Sequence, residues 1–381
     1  MRRRLFWWEW KKLWSVPMFS IFLVLCMVFN IFLTVENLYG QDYVNYVSEI
    51  TEETGLQMGN FFDKKLEASQ KREYKDTLIA ETKGAEDIFE TYQAEKINTL
   101  LKNVFPMVNQ AGGLLDAKYN RLQKSIGLLE KQDASLSVSS AGMTDEMLSK
   151  LFESLCRAII TEGWLLAAFM AIYLAGSETL SKTAYTVYST KMGRKVQRIK
   201  YIASFLSGLL SYLFLTVIGI GGFCCFWDMR SVWDGSISSQ FHHRKIALFK
   251  IPFITWKPFT VAEYLAAMLL LGVVVLGIFH AVSFGIGMVS GDAFRAFLIL
   301  AGAGMFCVLA NMLSADCSSY WLYQLTEWNP VMFWWKQYKW FTDMDLDSVL
   351  PWQECFEAVV CTVAAAGGLW LCRCRFNKMD L

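Results

Sequence analysis

The hydrophobic residues of this chain form long apolar runs separated by polar segments. Four runs without Asp, Glu, Lys or Arg each approach the roughly 20 residues that a helix needs to cross a bilayer. They are residues 16–35, 201–227, 264–291 and 296–315. Two shorter runs, 163–177 and 358–372, can cross only if Glu162 and Glu357 lie at or just inside the headgroup boundary. The pattern predicts an all-α polytopic membrane protein with six transmembrane helices.

Composition supports the bilayer as the solvent of this protein. Hydrophobic residues make up 54% of the 381 residues and charged residues only 19%, which excludes an ordinary soluble globular protein. A net charge of +1 gives no indication of nucleic acid as a partner.

Lys and Arg residues near the span ends predict the orientation. Residues 1–15 and 178–200 are rich in both, and the tail after the last run is basic, so six spans place both termini inside. Basic residues in the segment 228–262 argue the other way, although the length of that segment weakens the rule. They are Arg230, Arg244, Lys245, Lys250 and Lys257.

These assignments give the following order along the chain. A cytoplasmic amphipathic helix spans 1–15, and an extracytoplasmic helical domain spans 37–157. The transmembrane helices are 16–36, 158–177, 201–227, 263–286, 296–315 and 355–373. The other connections are a cytoplasmic loop at 178–200, an outer loop at 228–262, a cytoplasmic turn at 287–295, an outer loop with an aromatic interfacial segment at 316–354, and a cytoplasmic tail at 374–381.

The polar segment 37–155 has the composition of a helical domain, with much Leu, Glu, Lys and Gln. Apolar residues recur at helical spacing within it, which predicts one helix with a buried seam. We expect that seam to pack against a helix around residues 88–100 and against another from Thr144 to Leu155, in a hairpin or small bundle. A Ser-rich stretch at 134–142 is interpreted as a flexible connector. The seam residues are Leu115, Tyr119, Leu122, Ile126 and Leu129.

Catalytic motifs are hard to find in this sequence. It has no H-E-x-x-H and no Gly-rich dinucleotide fingerprint, and residues 176–183 lack the second Gly of a phosphate-binding loop. We therefore expect no enzyme activity, no cofactor and no metal site in this chain. His280 is a candidate pathway residue because it lies within a span, although a His hydrogen-bonded to a neighbouring helix is the commoner case.

The segment 178–200 is the most informative part of the sequence. Glu178 is followed eleven residues later by Ser189 and Thr190, and the segment continues with Gly193-Arg194 and ends on Lys200. This arrangement resembles the intracellular loop of type-two ATP-binding-cassette (ABC) exporter permeases, in which the loop forms the coupling helix that docks on the ATPase subunit. The sequence departs from the family at Lys182, where many members carry Gly.

Two other segments resemble the same family. Residues 8–13, with Trp8, Glu9, Lys11 and Lys12, look like its amphipathic elbow helix, and residues 329–331 are similar to its outer segment between spans five and six. The polar domain matches only the subfamily with a large extracytoplasmic insert after the first span. The resemblance implies coupling roles for a set of residues in the loop. These are Glu178, Tyr188, Ser189, Thr190, Gly193, Arg194 and Lys200.

The resemblance implies a permease subunit that is powered by a separate ABC ATPase subunit, which binds ATP and Mg. It further implies a homodimer, or a heterodimer with a second permease. The sequence has no Asn-x-Ser/Thr sequon, which favours a bacterial plasma membrane. The transported substrate could be a peptide, a lipid-like molecule or a drug. The residues alone also allow a simpler interpretation. In it, the basic loop only determines the orientation of the spans in the membrane, and Glu178 forms an ion pair with Lys182 one helical turn away.

Two other functions stay open. A span, a helical ectodomain and a second span would also suit a membrane sensor or accessory subunit, but little cytosolic chain is left for an output domain. An intramembrane enzyme would need paired carboxylates or a Ser/His couple, which the sequence does not offer.

The cysteines lie mostly in or beside apolar runs, so they do not form a disulfide framework in the polar domain. Cys317 follows the fifth predicted span and Cys355 precedes the sixth. A disulfide between these two would close the loop at 318–354.

Overall fold

The computed structural model describes residues 2–36, 38–68, 72–190, 192–246 and 249–378. In the described chain the helices are α1 (Arg2–Trp14), α2 (Pro17–Val35), α3 (Gln41–Thr54), α4 (Asn60–Ala68), α5 (Arg72–Thr82), α6 (Ile88–Thr91), α7 (Ala94–Val104), α8 (Gly112–Glu130), α9 (Met143–Ser149), α10 (Arg157–Leu180), α11 (Ala184–Tyr188), α12 (Val196–Phe226), α13 (Val261–Ser290), α14 (Ala293–Ala315), α15 (Tyr320–Glu327), α16 (Pro330–Trp335) and α17 (Gln353–Lys378). Two strands, β1 (His243–Ile246) and β2 (Phe249–Pro252), form an antiparallel hairpin, which the all-α prediction did not include.

Six helices in the described chain are long and apolar enough to cross a membrane, and the protein is a helical multi-pass membrane protein. They are α2, α10, α12, α13, α14 and α17. The helix containing α10 begins well before the apolar run, because Met143–Leu180 is continuous and includes a π-helical segment at Lys150–Cys156. The second span therefore reaches directly into the polar domain.

The connection between the fourth and fifth spans shows how local sequence sets the helix ends. Gly291 ends α13 with a φ of +64°. Glycine adopts this left-handed conformation at little cost because it has no Cβ. The side chain of Asp292 then caps α14 by accepting a hydrogen bond from the backbone N–H of Arg295 at 2.7 Å. Two residues thus reverse the chain, where the sequence predicted a turn at 287–295.

The bundle has two unlike ends. Helix α1 contacts the end of α10, and the loop after α10 contacts the last turn of α17; we call this end of the bundle the terminal face. The polar domain and the two long segments 228–260 and 316–352 lie together at the opposite end, which we call the domain face. The tail predicted at 374–381 is helical through Lys378, and its last three residues lie outside the described chain.

The predicted seam of the polar domain is confirmed, since all five of its residues are buried on α8. It packs against Ile97 and Leu101 of α7, as expected for a helix in that region, and also against Tyr320 from the distant segment 316–352. The second expected partner was wrong. Residues 144–155 join the core formed by the spans instead, because they continue into α10.

The stretch 134–142 is not a flexible connector. Its serines are buried, and Ser139 donates a hydrogen bond to the carbonyl of Ser236 at 3.0 Å. A Cβ placed on Gly235 would lie 2.2 Å from that of Ser139, so two small residues allow the backbones to approach closely. The small polar residues of this stretch allow close packing. A flexible linker can have the same composition, so composition alone does not separate the two.

Candidate functional site

A buried ionic cluster joins three helices at the terminal face. Glu178, near the end of α10, forms an ion pair with Lys200 in α12, and both side chains are almost fully buried. The other carboxylate oxygen of Glu178 lies 3.7 Å from Nζ of Lys12 in α1. We call these residues, with Ser177, the terminal-face cluster.

Neutral acceptors complete this cluster. Lys200 also donates to the carbonyl oxygen of Leu174 at 2.9 Å and to Oγ of Ser177 at 2.8 Å. The same Oγ accepts a hydrogen bond from Nζ of Lys12 at 2.8 Å. Burial of an ammonium group is costly unless its donors are satisfied, and here they are.

The cluster fixes the N-terminal helix against the spans. Along α1, Glu9 and Leu13 are buried, whereas Trp8 and Lys11 are exposed. Lys12 lies 4.0 Å from Glu9 on its own helix, so this part of α1 contributes to the same charge network. An amphipathic helix with one face on the bundle and Trp on the other is typical of a membrane-interface segment.

In the loop between the second and third spans, Ala184–Tyr188 forms the five-residue helix α11, and Gly193–Lys195 forms a 3-10 turn before α12. Lys182 lies beyond the end of α10 with a φ of +57°, so it does not continue that helix toward Glu178. The alternative ion pair between Glu178 and Lys182 is therefore not made, and the carboxylate binds Lys200 and Lys12 instead.

Two contacts fasten the loop to the last helix. The ring of Tyr188 packs edge-on against Phe376 at 5.5 Å, and its hydroxyl accepts a hydrogen bond from Nε2 of Gln197 at 2.9 Å. Arg194 lies over the same Phe376 ring at 5.6 Å and donates to the carbonyl of Asn377. Gly193 precedes it with a φ of +49°, which favours glycine.

The structure thus divides the predicted coupling residues into two groups. Glu178 and Lys200 are internal, and Tyr188 and Arg194 contact other parts of the chain, so none of these four is a free docking group. Ser189 and Thr190 are exposed, and their hydroxyls bond to backbone carbonyls within the loop. Lys191 lies outside the described residues.

The sequence-based set omitted the most exposed aromatic residue of the loop. Tyr185, three positions before Tyr188 on the same short helix, is 72% exposed, whereas the ring of Tyr188 is partly covered by Phe376. The signal that could have identified Tyr185 is an aromatic residue four positions before the Ser189-Thr190 pair, in a polar loop between two spans.

A larger buried cluster lies at the domain face. Nζ of Lys118, on α8, donates to the carbonyl oxygens of Asp343, Asp345 and Ser348 at 2.8–3.0 Å. Arg244, on β1, forms ion pairs with the carboxylates of Asp343 and Asp345. We call these residues, with Lys336, Glu327 and Glu357, the domain-face cluster.

Burial and charge have opposite effects on the cations of this cluster. Burial lowers the pKa of Lys118 to about 8, although the nearby Asp343 and Asp345 carboxylates favour its charged form. Burial alone would also lower the pKa of Arg244, but its two ion-paired carboxylates outweigh that effect and raise it. Arg244 is therefore a firmly charged buried residue.

The cluster continues to the ends of two spans. Lys336 lies 2.8 Å from Glu327 and 3.0 Å from Glu357 at the start of α17, and Asn311 of α14 donates to Glu327 at 2.7 Å. Burial alone would lower the pKa of Lys336, and Glu357 and Glu327 outweigh burial and raise it. The domain face thus connects the polar domain to spans five and six through buried polar contacts.

These contacts account for charges that conflicted with the topology rule. Arg244 is paired with buried carboxylates, and Arg230 pairs with Asp228 at 2.7 Å and with Glu52 at 3.4 Å. The Lys and Arg count is informative for short loops, whereas these two residues belong to a long segment that is folded against the polar domain.

Within the spans, the structure shows polar contacts between helices. Asn30 of α2 donates to Glu162 of α10 at 2.8 Å, so this carboxyl is buried among helices. The candidate pathway residue His280 is fully buried, hydrogen-bonded through Nε2 to Ser204 at 2.9 Å and flanked by Tyr201 and Phe205. These contacts correspond to the commoner case, a His hydrogen-bonded to a neighbouring helix, and a pathway role for His280 stays a prediction.

The remaining predicted groups concern metals and disulfides. Among the described residues, no group of three or more His, Cys, Asp or Glu side chains has a geometry that could hold a metal ion. Cys317 and Cys355 are both exposed free thiols, so the predicted disulfide between them is not formed in the structure.

Comparison of this chain with protein-family models, with curated proteins and with solved structures gave no match.

Proposed function

We propose that this protein is the membrane-spanning permease subunit of an ABC exporter and that a separate ATPase subunit docks on its terminal face. The observation that carries the proposal is the short helix α11. It presents the exposed Tyr185 between the second and third spans, while the terminal-face cluster ties the spans on either side of it to α1.

The proposed mechanism follows from these contacts. A force on α11 reaches Glu178 through the end of α10 and Lys200 through the start of α12. Lys12 bonds to the same site, so α1 moves with the two spans. Closure of an ATPase pair would therefore shift three helices as one body, as in rigid-body transitions of other transporters.

The proposal includes the orientation and the assembly. The terminal face is cytoplasmic, where ATP is available, and the polar domain is extracytoplasmic. Two permease subunits, identical or related, form the pathway, and the membrane is the plasma membrane of a bacterium. The partner ATPase supplies the ATP and Mg site, and this chain contributes no catalytic residue.

The test uses Tyr185 because it can be changed without loss of an internal contact. An exposed tyrosine at the centre of an interface commonly contributes about 2 kcal/mol or more to binding, so Tyr185→Ala should weaken ATPase docking by about 30-fold or more. The measurement is the amount of ATPase subunit that co-purifies from membranes at equal permease expression, together with its hydrolysis rate. Tyr185→Phe should retain most of the binding.

Leu325 provides a matched control at the opposite face. It is 73% exposed, close to the 72% of Tyr185, and lies on α15 at the domain face. Leu325→Ala should leave ATPase recovery unchanged. If Tyr185→Ala also leaves recovery and hydrolysis unchanged, α11 is not the docking element.

The alternative of a membrane sensor or accessory subunit rests on the large polar domain that α10 connects directly to the terminal face. That reading predicts that no ATPase subunit accompanies the wild-type protein. Recovery of an ATPase that depends on Tyr185 would reject it.

A further inference from the structure

An apolar groove opens on the side of the bundle, between α10, α13 and α14. It has a volume of 620 Å³, and α16 closes it toward the domain face. Its walls are aromatic and aliphatic, with Trp164, Phe169, Phe279 and Phe297 on two sides. One wall, α14, is mostly exposed along this surface, so the groove faces the lipid.

The length of the groove matches one leaflet of a bilayer. Along α14 the lining extends from Phe297 to Val308, and eleven residues of helix rise about 16 Å. The hydrocarbon core of a bilayer is about 30 Å thick, so this distance is about half of it. A single acyl chain of one leaflet therefore fits the groove along its length.

At the closed end of the groove the hydroxyl of Thr161 already has its hydrogen-bond partners, whereas the buried Nε1 of Trp164 has none among the described residues. Thr161 accepts a hydrogen bond from Nε1 of Trp334 at 3.0 Å and donates to the carbonyl of Arg157 at 2.6 Å. The hydroxyl is therefore not free for a polar ligand, and the groove favours an apolar occupant.

A positively charged side chain, that of Arg157, lies just beyond this closed end. Arg157 is one helical turn before Thr161, and its guanidinium lies over the ring of Trp335 at 4.7 Å. It makes no ion pair with any carboxylate in the described part of the chain, unlike Arg230 and Arg244. Stacking on an aromatic ring leaves the edge of a guanidinium available for a phosphate.

The geometry points to a binding site for an anionic phospholipid of the leaflet at the domain face. Its phosphate pairs with Arg157, and one acyl chain occupies the groove between α10 and α14. This site is independent of the proposed transport function, since it requires neither an ATPase nor a particular orientation.

The experiment uses the full chain in nanodiscs that contain a phosphatidylglycerol with a photoactivatable diazirine in its acyl chain. After illumination, peptide mass spectrometry locates the labelled residues. We expect labels on peptides of α10 and α14 that line the groove, in excess over exposed residues of α2. Equal labelling of all lipid-exposed helices would overturn the site.

Two glycines of α14 offer a matched pair of variants. A Cβ at Gly304, which lines the groove, meets no atom within 4 Å, and the same holds for Gly302, which does not line it. Gly304→Phe should fill the groove and remove most of the labelling, whereas Gly302→Phe should retain it. Equal labelling in the two variants would contradict the assignment. So would a second copy of the chain cross-linked at the groove in place of lipid.

The headgroup contact is tested separately. One basic residue near an anionic surface contributes about a fivefold preference, so Arg157→Gln should reduce the ratio of phosphatidylglycerol to phosphatidylcholine labelling by about that factor. Arg157→Lys should keep the ratio nearly unchanged. An unchanged ratio in Arg157→Gln would reject the phosphate contact.

Discussion

The two buried ionic clusters lie at opposite ends of the helix bundle and differ in what they join. The terminal-face cluster connects the ends of α1, α10 and α12, and it leaves the loop between the last two exposed. The domain-face cluster connects segments far apart in the chain, since Lys118 and its acceptor Asp343 are 225 residues apart. One cluster holds the base of a loop, whereas the other holds a folded domain to the spans.

This difference has a consequence for stability. Buried polar contacts between distant segments are lost together when any one segment detaches, so the domain face should open as a cooperative unit. The terminal-face cluster and the contacts of the loop with α17 involve different residues, so one set can be lost while the other stays intact. We expect the domain face to open in one step and the terminal face in smaller ones.

The largest effect should come from Lys118→Met. Methionine fills a similar volume but donates nothing, so the carbonyls of Asp343, Asp345 and Ser348 lose a buried donor. The carbonyl of Asp343 keeps a donor in Oγ of Ser348, and that of Ser348 keeps a longer one in the hydroxyl of Tyr320. Because three hydrogen bonds from a charged group are lost together, at about 1.5–3 kcal/mol each, the free energy of unfolding should fall by about 3 kcal/mol or more. Denaturant unfolding in micelles measures the loss, and hydrogen exchange at residues 343–348 locates it.

Lys124 is the control for this change. It is on the same helix α8 but is exposed, so Lys124→Met should alter the free energy of unfolding by less than about 0.5 kcal/mol. Similar losses in the two variants would mean that the helix, rather than the buried contacts, determines the result.

A smaller effect should come from Glu178→Gln at the terminal face. Lys200 keeps its hydrogen bonds to Leu174 and Ser177, so only the charge-assisted contacts of the carboxylate are lost. We expect a loss of about 2 kcal/mol, within the range for hydrogen bonds to charged groups. Protease cleavage of the loop 181–195 and the midpoint of thermal unfolding measure the effect.

Lys182→Gln is the control at this end, because Lys182 is exposed and lies beyond the end of α10. It should change neither the cleavage rate nor the midpoint. If it destabilises the protein as much as Glu178→Gln does, the pairing between Glu178 and Lys182 considered from the sequence would be correct after all.

The parts of the fold that could be predicted from the sequence rest on local periodicity. The spans follow from the length of the apolar runs, and the seam of α8 follows from its spacing of three and four. The burial of Lys118 could not be predicted, because a lysine next to the seam of a helix is expected to be exposed to solvent. Its acceptors are backbone carbonyls near residue 345, and no local pattern indicates them.

For the same reason, the sequence predicted the candidate site only in part. The spacing in segment 178–200 led to Glu178 and Lys200 as candidate coupling residues, but it did not show that these two side chains pair with each other. The buried serines at 134–142 were interpreted as flexible because composition does not report the close approach of Gly235 to Ser139. In both regions the structure depends on contacts between residues far apart in the sequence, which local patterns do not report.

The smallest effect concerns an ion pair between α7 and α8, in which the α8 partner lies two residues from Lys118. Asp116 accepts hydrogen bonds at 2.6 Å from Lys102 and from Asn98, and these contacts lower its pKa. Because the folded-state pKa is below the unfolded value, the contribution to stability is present above about pH 4 and is lost as pH falls through the folded-state pKa. Asp116 is half exposed, so solvent screens the pair, and Asp116→Asn should cost only about 0.2–1 kcal/mol.

Salt and pH separate this exposed pair from the buried contacts two residues away. At about 1 M salt the Debye length falls to about 3 Å, so the cost of Asp116→Asn should nearly vanish, while that of Lys118→Met should persist. Unfolding is measured for wild type and both variants at low and high salt, at pH 7 and again below pH 4. The difference between Asp116→Asn and wild type should also shrink at the lower pH, because protonation of Asp116 removes the same charge. A salt dependence as large for Lys118→Met as for Asp116→Asn would show that the domain-face cluster is open to solvent.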